Sequence, residues 1–264
     1  MKVFSTFFLI MLFPLSLLAE TPEKKGLAIA REAKQRDEGW VDSKSEMEME
    51  LKNRHGETSI RRIKSRTLEV LEDGDKSLMV FKDPKDVKGT AMLTVSHKVK
   101  NDDQWLFLPA LRRVKRISSS NKSGSFMGSE FAYEDLSSRE VEKYTYKYLG
   151  NEPCPNPELG GISCFVVESY PVDRKSGYTR LISWIDEKEY RTAKVTFYDR
   201  KESHLKTLSF KGFKKYLGKF WRNDELRMEN HQSGKSTILR FHNYKFKVGL
   251  KSSDFNKNAL KRAK

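Results

Sequence analysis

Apolar and polar residues alternate with a period of two over most of this chain. Met47, Met49 and Leu51 interleave with Glu46, Glu48, Glu50 and Lys52, which gives a half-buried strand one apolar and one charged face. The period returns at Tyr144, Tyr146 and Tyr148, at Ala193, Val195 and Phe197, and at Leu208 and Phe210. Further strands are predicted over Ile60–Leu71, Ser77–Phe81, Thr90–Val99, Trp105–Leu108, Arg113–Ile117, Ile162–Tyr170, Tyr178–Ile185, Phe220–Met228 and Ser236–Phe246. Asp73-Gly74, Ser176-Gly177 and Ser233-Gly234 supply turns between them. Short connections of this kind require antiparallel pairing, because parallel strands need long crossovers.

Helical signals are few. Thr21 can cap a helix that Pro22 opens, Leu27, Ala30 and Ala33 recur at near-helical spacing, and Gly39 ends the pattern. A second short helix is expected from Ser253 to Lys261. Between them, Ser118–Arg139 is turn-rich at first and then carries Phe126, Met127, Phe131 and Tyr133. A long loop with its own apolar side chains is either functional or a patch on the edge of the core. The inventory predicts a mainly β fold with a few helices: one strongly curved antiparallel sheet, a half-open, incomplete β-barrel with a helical plug or lid. A two-sheet sandwich satisfies the same periodicity.

The first stretch bears on the compartment. Lys2, an apolar run from Val3 to Leu18 and Ala19 before a polar sequence form the pattern of a secretory signal peptide cleaved after Ala19. An uncleaved anchor is the competing reading, for which the run is short. Residues 1–19 are thus expected to leave, and residues 20–264 to form a single domain in the periplasm. In an oxidising compartment, Cys154 and Cys164 are expected to form a disulfide clamping a loop rich in proline and glycine.

The net charge is +15, which favours anionic partners; in an exported protein this points to an anionic membrane surface rather than to nucleic acid. Two basic clusters, Arg61, Arg62, Lys64 and Arg66, and Arg112, Arg113, Lys115 and Arg116, either meet such a surface or keep an outward strand face soluble. His55, His97, His204, His231 and His242 show no metal-ligand spacing, and no nucleophile elbow or phosphate loop is present in the sequence. No metal, cofactor or catalytic set is therefore expected, and a binding protein is favoured over an enzyme.

Three segments carry a family resemblance: Asp75–Phe81, Gln104–Ile117 with its Leu108-Pro109-Ala110-Leu111-Arg112-Arg113 end, and Gly124–Leu136 with Phe126-Met127-Gly128-Ser129. Together they resemble the bacterial outer-membrane lipoprotein-sorting-like proteins, relatives of the periplasmic carrier LolA. The resemblance implies an incomplete barrel that holds acyl chains of a lipid or acylated protein. Members of this branch also resemble accessory proteins of RND-type inner-membrane exporters. Met79, Phe81, Trp105, Phe107 and Trp184 are the expected wall of the cavity, and Phe126, Met127, Phe131 and Tyr133 its gate; taken singly, each of them also reads as an ordinary core residue. A docking adaptor that holds no lipid, and an enzyme on the same scaffold, are the alternatives. N-terminal sequencing of the exported protein is expected to begin at Glu20; a mature chain that retains Met1 would overturn the signal-peptide reading.

Overall fold

The computed structural model describes residues 20–262; the segment expected to be a signal peptide, residues 1–19, lies outside the described residues. The alternating segments form β1 (Asp42–Lys52), β2 (Thr58–Leu68), β3 (Lys76–Asp83), β4 (Ala91–Val95), β5 (Asp103–Leu108), β6 (Arg113–Ile117) and β7 (Tyr144–Pro153). They continue with β8 (Ser163–Pro171), β9 (Tyr178–Asp186), β10 (Thr192–Asp199), β11 (His204–Tyr216), β12 (Phe220–Asn230) and β13 (Ser236–Phe246). All thirteen belong to one sheet, in the order β6-β5-β4-β3-β2-β1-β13-β12-β11-β10-β9-β8-β7, which removes the sandwich alternative. Every pairing is antiparallel.

The order has a topological consequence. Strands β1 to β6 step outward in one direction, and β7 to β13 return from the far edge until β13 pairs with β1. Among the described residues no ladder joins β6 to β7, so the sheet stays open there. The chain between these two edge strands must travel from one side of the sheet to the other, and it does so across the inner face.

Register fixes what that face carries. Met47, Met49, Ile63, Phe81, Met92, Leu106, Leu181, Val195, Phe197, Met228 and Leu239 form the main core. The charged alternates of β1 lie outside, where Arg240 binds Glu50 at 2.7 Å and Glu48 at 3.4 Å and Lys64 binds Glu46 at 3.5 Å. The alternation is silent at Leu78-Met79-Val80-Phe81 because both faces are covered there. Leu78, Val80, Ala91 and Leu93 pack beneath Phe255 and Leu260 of the C-terminal segment, where a helix, α2 (Lys257–Arg262), follows a short 3-10 turn.

The opening helix, α1 (Pro22–Arg36), starts as expected. Thr21 Oγ1 accepts from the Lys24 amide at 3.3 Å, and the helix ends three residues before Gly39. Leu27, Ile29 and Ala30 pack on Tyr146, Val167 and Ile185. Gly26 permits the close approach, since a Cβ there would lie 2.8 Å from the Tyr148 amide nitrogen.

The segment from Ser118 to Lys143 is the inner strap. It is less helical than the sequence suggests, with short 3-10 turns at Ser119–Asn121, Tyr133–Leu136 and Val141–Lys143. Polar anchors fix it to the wall. Lys206 Nζ meets Asp135 Oδ2 at 2.7 Å, both side chains being more than 90% buried, and donates to the Glu130 carbonyl at 2.9 Å. Tyr178 donates its hydroxyl to Asp135 at 2.9 Å. Glu134 accepts from the Ser176 hydroxyl and the Gly177 amide, each at 2.8 Å.

Cys154 and Cys164 form the expected disulfide, ten residues apart in sequence. Replacing both with serine is expected to lower unfolding free energy by about 2–3 kcal/mol on the loop-entropy model, read from urea denaturation. Lys206→Met leaves Asp135 buried without its cation and should cost about 3–5 kcal/mol; a loss under 1 kcal/mol would show that the strap does not depend on this pair.

Candidate functional site: chambers beneath the strap

The strap does not fill the inner space. On one side of it lies a chamber of about 460 Å³, walled by Tyr144, Tyr178, Leu181, Val195, Phe197, Leu208, Phe210, Leu226 and Met228. On the other side a chamber of about 260 Å³ is walled by Met47, Met49, Met79, Phe126, Leu239 and Phe241. Phe131, Asp135, Ser137, Ser138 and Leu226 line both. A third, more polar space of about 610 Å³ lies against α1, and it shares Ser138, Arg139, Thr192 and Phe210 with the larger apolar chamber. The larger apolar chamber has the size and lining of small-molecule sites, which are mostly apolar with a few placed polar groups.

The larger chamber opens between the loops that carry Val99 and Val172, which are 84% and 60% exposed. Ion pairs bridge this mouth: Lys122 binds Asp173 at 2.7 Å, and Lys143 binds Asp102.

The sequence-predicted wall divides between the two faces. Met79 lines the smaller chamber, and Phe81 is fully buried on the same inner face, its ring 5.8 Å from that of Phe126. Trp105, Phe107 and Trp184 are a correction, because they point outward. Trp105 pairs with Leu93 in the ladder, so Gln104, Leu106 and Leu108 take the inward positions and Trp105 and Phe107 join the outer cluster beneath α2. Trp184 pairs with Val166 and Lys194, packs near the disulfide and donates its indole N–H to Glu152 at 2.7 Å.

The four proposed gate residues do come together on the strap. Phe126 and Phe131 are buried, and the Phe126 and Tyr133 rings meet edge to face at 5.9 Å. Met127 and Gly128 have φ values of 50° and 78° within a tight turn closed by the Ser129 amide on the Phe126 carbonyl at 2.9 Å. Successive positive φ values are the mark of a type I′ turn, which glycine favours. Arg61 donates to the Met127 carbonyl, which separates it from Arg62, Lys64 and Arg66 on the opposite face of β2.

Sequence reasoning missed most of the larger chamber. Leu208 and Phe210, like Val195 and Phe197, were legible as alternating strand residues, but nothing marked their face as the hollow one. It also missed Arg139, at the neck between the chambers. Burial pushes the Tyr144 and Tyr178 hydroxyls above their ordinary range, with Asp135 adding to the effect at Tyr178. Burial likewise raises the Glu134 carboxyl. His97 is held in a loop corner, with Nδ1 at 2.5 Å from Asp73 and Nε2 at 3.4 Å from Asp103. Among the described residues no group of three or more His, Cys, Asp or Glu is placed to hold a metal ion, and no helix is long and apolar enough to cross a membrane.

Comparison with known proteins agrees with this architecture. A family model described as "Uncharacterized protein" matches residues 73–262. No curated protein matches the chain. A solved domain from Vibrio parahaemolyticus, named as an outer membrane lipoprotein-sorting protein domain, is 55% identical over 91% of this chain and all of its own, with a TM-score of 0.87. A DUF1329 family protein from Desulfovibrio piger is 32% identical over 91% of this chain and 99% of its own, with a TM-score of 0.84. A LolA superfamily protein from Nitrosomonas europaea, 20% identical over 89% of this chain and 98% of its own, shares the fold at a TM-score of 0.70. With its single open sheet and inner strap, the chain belongs to the outer-membrane lipoprotein-sorting-like family represented by the Vibrio and Desulfovibrio proteins, on a LolA-like fold.

Proposed function

We propose that this protein is a periplasmic carrier that shelters an acyl chain, of a lipid or of a lipid-modified protein, in the chambers beneath the strap. The observation that carries the reading is the pair of apolar chambers, about 460 and 260 Å³, that meet at Phe131 and Leu226. An apolar wall needs no catalytic group to hold a hydrocarbon chain. Burial is worth about 0.8 kcal/mol per CH₂, so a chain of ~14 carbons gains on the order of 10 kcal/mol before ordering costs. Met47, Met49, Met79 and Met228 suit chains of varied shape, because the thioether side chain is flexible and polarizable. The exposed Val99 and Val172 at the mouth give a tail its first apolar contact. On the resemblance of the branch alone, the same reading extends to hand-over at an RND-type inner-membrane exporter.

Phe126 is fully buried against Phe81, so a charge there would disrupt the strap and not report on cargo. Leu226, which lines both chambers, is the better probe. With fatty-acyl probes of increasing length, affinity is expected to rise about fourfold per added CH₂ until the chambers are full. Leu226→Trp should shorten the longest chain accepted while leaving the melting temperature within a few degrees. Affinity independent of chain length, together with a ligand-free mass for protein extracted gently from its own envelope, would overturn the carrier reading.

A further inference from the structure

The cations that line the three chambers differ in what they already hold. Lys34, Arg36, Lys122, Lys143, Arg191 and Lys215 each have a carboxylate at 3.4 Å or closer. Lys219 donates to the Glu38 carbonyl at 2.5 Å, and Lys100 lies on the exposed loop at the rim. Among the described residues Arg139 also has no carboxylate partner, and unlike Lys219 and Lys100 it is tied to buried hydroxyls of the wall where two chambers meet. Its Nη2 donates to the Ser169 hydroxyl at 2.7 Å and its Nη1 to the Ser183 hydroxyl at 3.3 Å, and its guanidinium lies 5.2 Å from the centre of the Tyr144 ring. All three contacts are uncharged.

The place of this arginine matters as much as its partners. Ser169 and Ser183 are inner-wall residues only 1% and 4% exposed, so they hold the guanidinium against the wall. Arg139 itself remains accessible, at the neck where the larger apolar chamber meets the polar space against α1. The neighbouring strap carboxylates are engaged elsewhere, Glu134 by Ser176 and Gly177 and Asp135 by Lys206 and Tyr178. Glu142 is exposed and lines the larger chamber. A guanidinium carries five N–H donors in a planar fork that matches carboxylate and phosphate oxygens, and two hydroxyl acceptors leave donors free. A cation fixed in place before binding loses little freedom when an anion arrives.

We propose that Arg139 is a head-group anchor, and that the cargo is an amphiphile with an anionic head, a carboxylate or phosphate, whose tail runs into the chamber of Leu208, Leu226 and Met228. This deepens the carrier reading and rests on it. It also narrows the cargo, because an acyl chain without a nearby negative charge gains nothing from the arginine.

The test uses the full mature chain and isosteric probes: oleate against methyl oleate, a phosphatidylglycerol against a diacylglycerol, and inorganic phosphate alone. The wild-type protein is expected to bind each charged lipid roughly 10- to 100-fold more tightly than its neutral counterpart, the range of a charge-assisted hydrogen bond, and to bind phosphate alone far more weakly than either lipid. In Arg139→Gln the charged lipids should fall to the affinity of the neutral ones, whose binding is unchanged. Arg139→Lys should restore most of the preference. Unchanged neutral-probe binding in both variants also serves as the folding control. Equal affinity of the wild-type chain for oleate and methyl oleate would overturn the anchor while leaving the carrier reading intact. Phosphate binding as tight as that of phosphatidylglycerol would show an anion site unrelated to a tail and overturn the amphiphile assignment. Failure of the wild-type chain to bind any lipid probe would overturn both.

Discussion

The structure depends on a single constraint: the apolar inner face of an open sheet has to be covered. A closed barrel would hide that face within itself, but β6 and β7 do not pair. Because these edge strands are consecutive in sequence and at opposite ends of the sheet, the chain between them has to cross the concavity. The covering segment is therefore a product of strand order. Its side chains, Phe126 and Phe131 above all, are buried in the same cluster as the wall residues they meet.

Apolar contact alone would leave such a strap free to slide. The polar anchors give it one position. Lys206 reaches inward from β11 to Asp135 and to the Glu130 carbonyl, Asn230 binds Glu130 at 2.7 Å, and Gln104 from the far side of the sheet binds the Tyr133 carbonyl at 2.8 Å. A buried ion pair recovers much of its desolvation cost through good geometry and further hydrogen bonds, so it favours one register strongly and its neighbours hardly at all. With the strap held at fixed points, the space to either side remains open. The chambers exist because the strap is pinned to the wall at a few places instead of packed along its whole length.

Much of the fold was legible in the sequence. The β6 and β13 boundaries, Arg113–Ile117 and Ser236–Phe246, coincide with their predicted spans. The Thr21 cap, the Cys154–Cys164 bridge and the curved antiparallel sheet also agree with expectation. The strap was recognisable as a segment that is not a strand yet carries aromatic residues. The candidate site was legible only in part, and the aromatic residues show why. Trp105, Phe107 and Trp184, like Met79 and Phe81, sit in strands, and all five are large and apolar, yet three of them serve an outer surface covered by α2 or the disulfide loop.

Local sequence determined which residues share a face, because the pleat sends alternate side chains to opposite sides and this needs no distant partner. It also determined the family and the loop that must be bridged. Which face became concave, where covering elements buried both faces, and which cation was tied to wall hydroxyls with no carboxylate partner were decided by tertiary structure. Period two defines two sides without naming the inner one. That distinction arises only when curvature, α2 and the returning strands bring together residues far apart in the chain, as Arg139 meets Ser169 and Ser183.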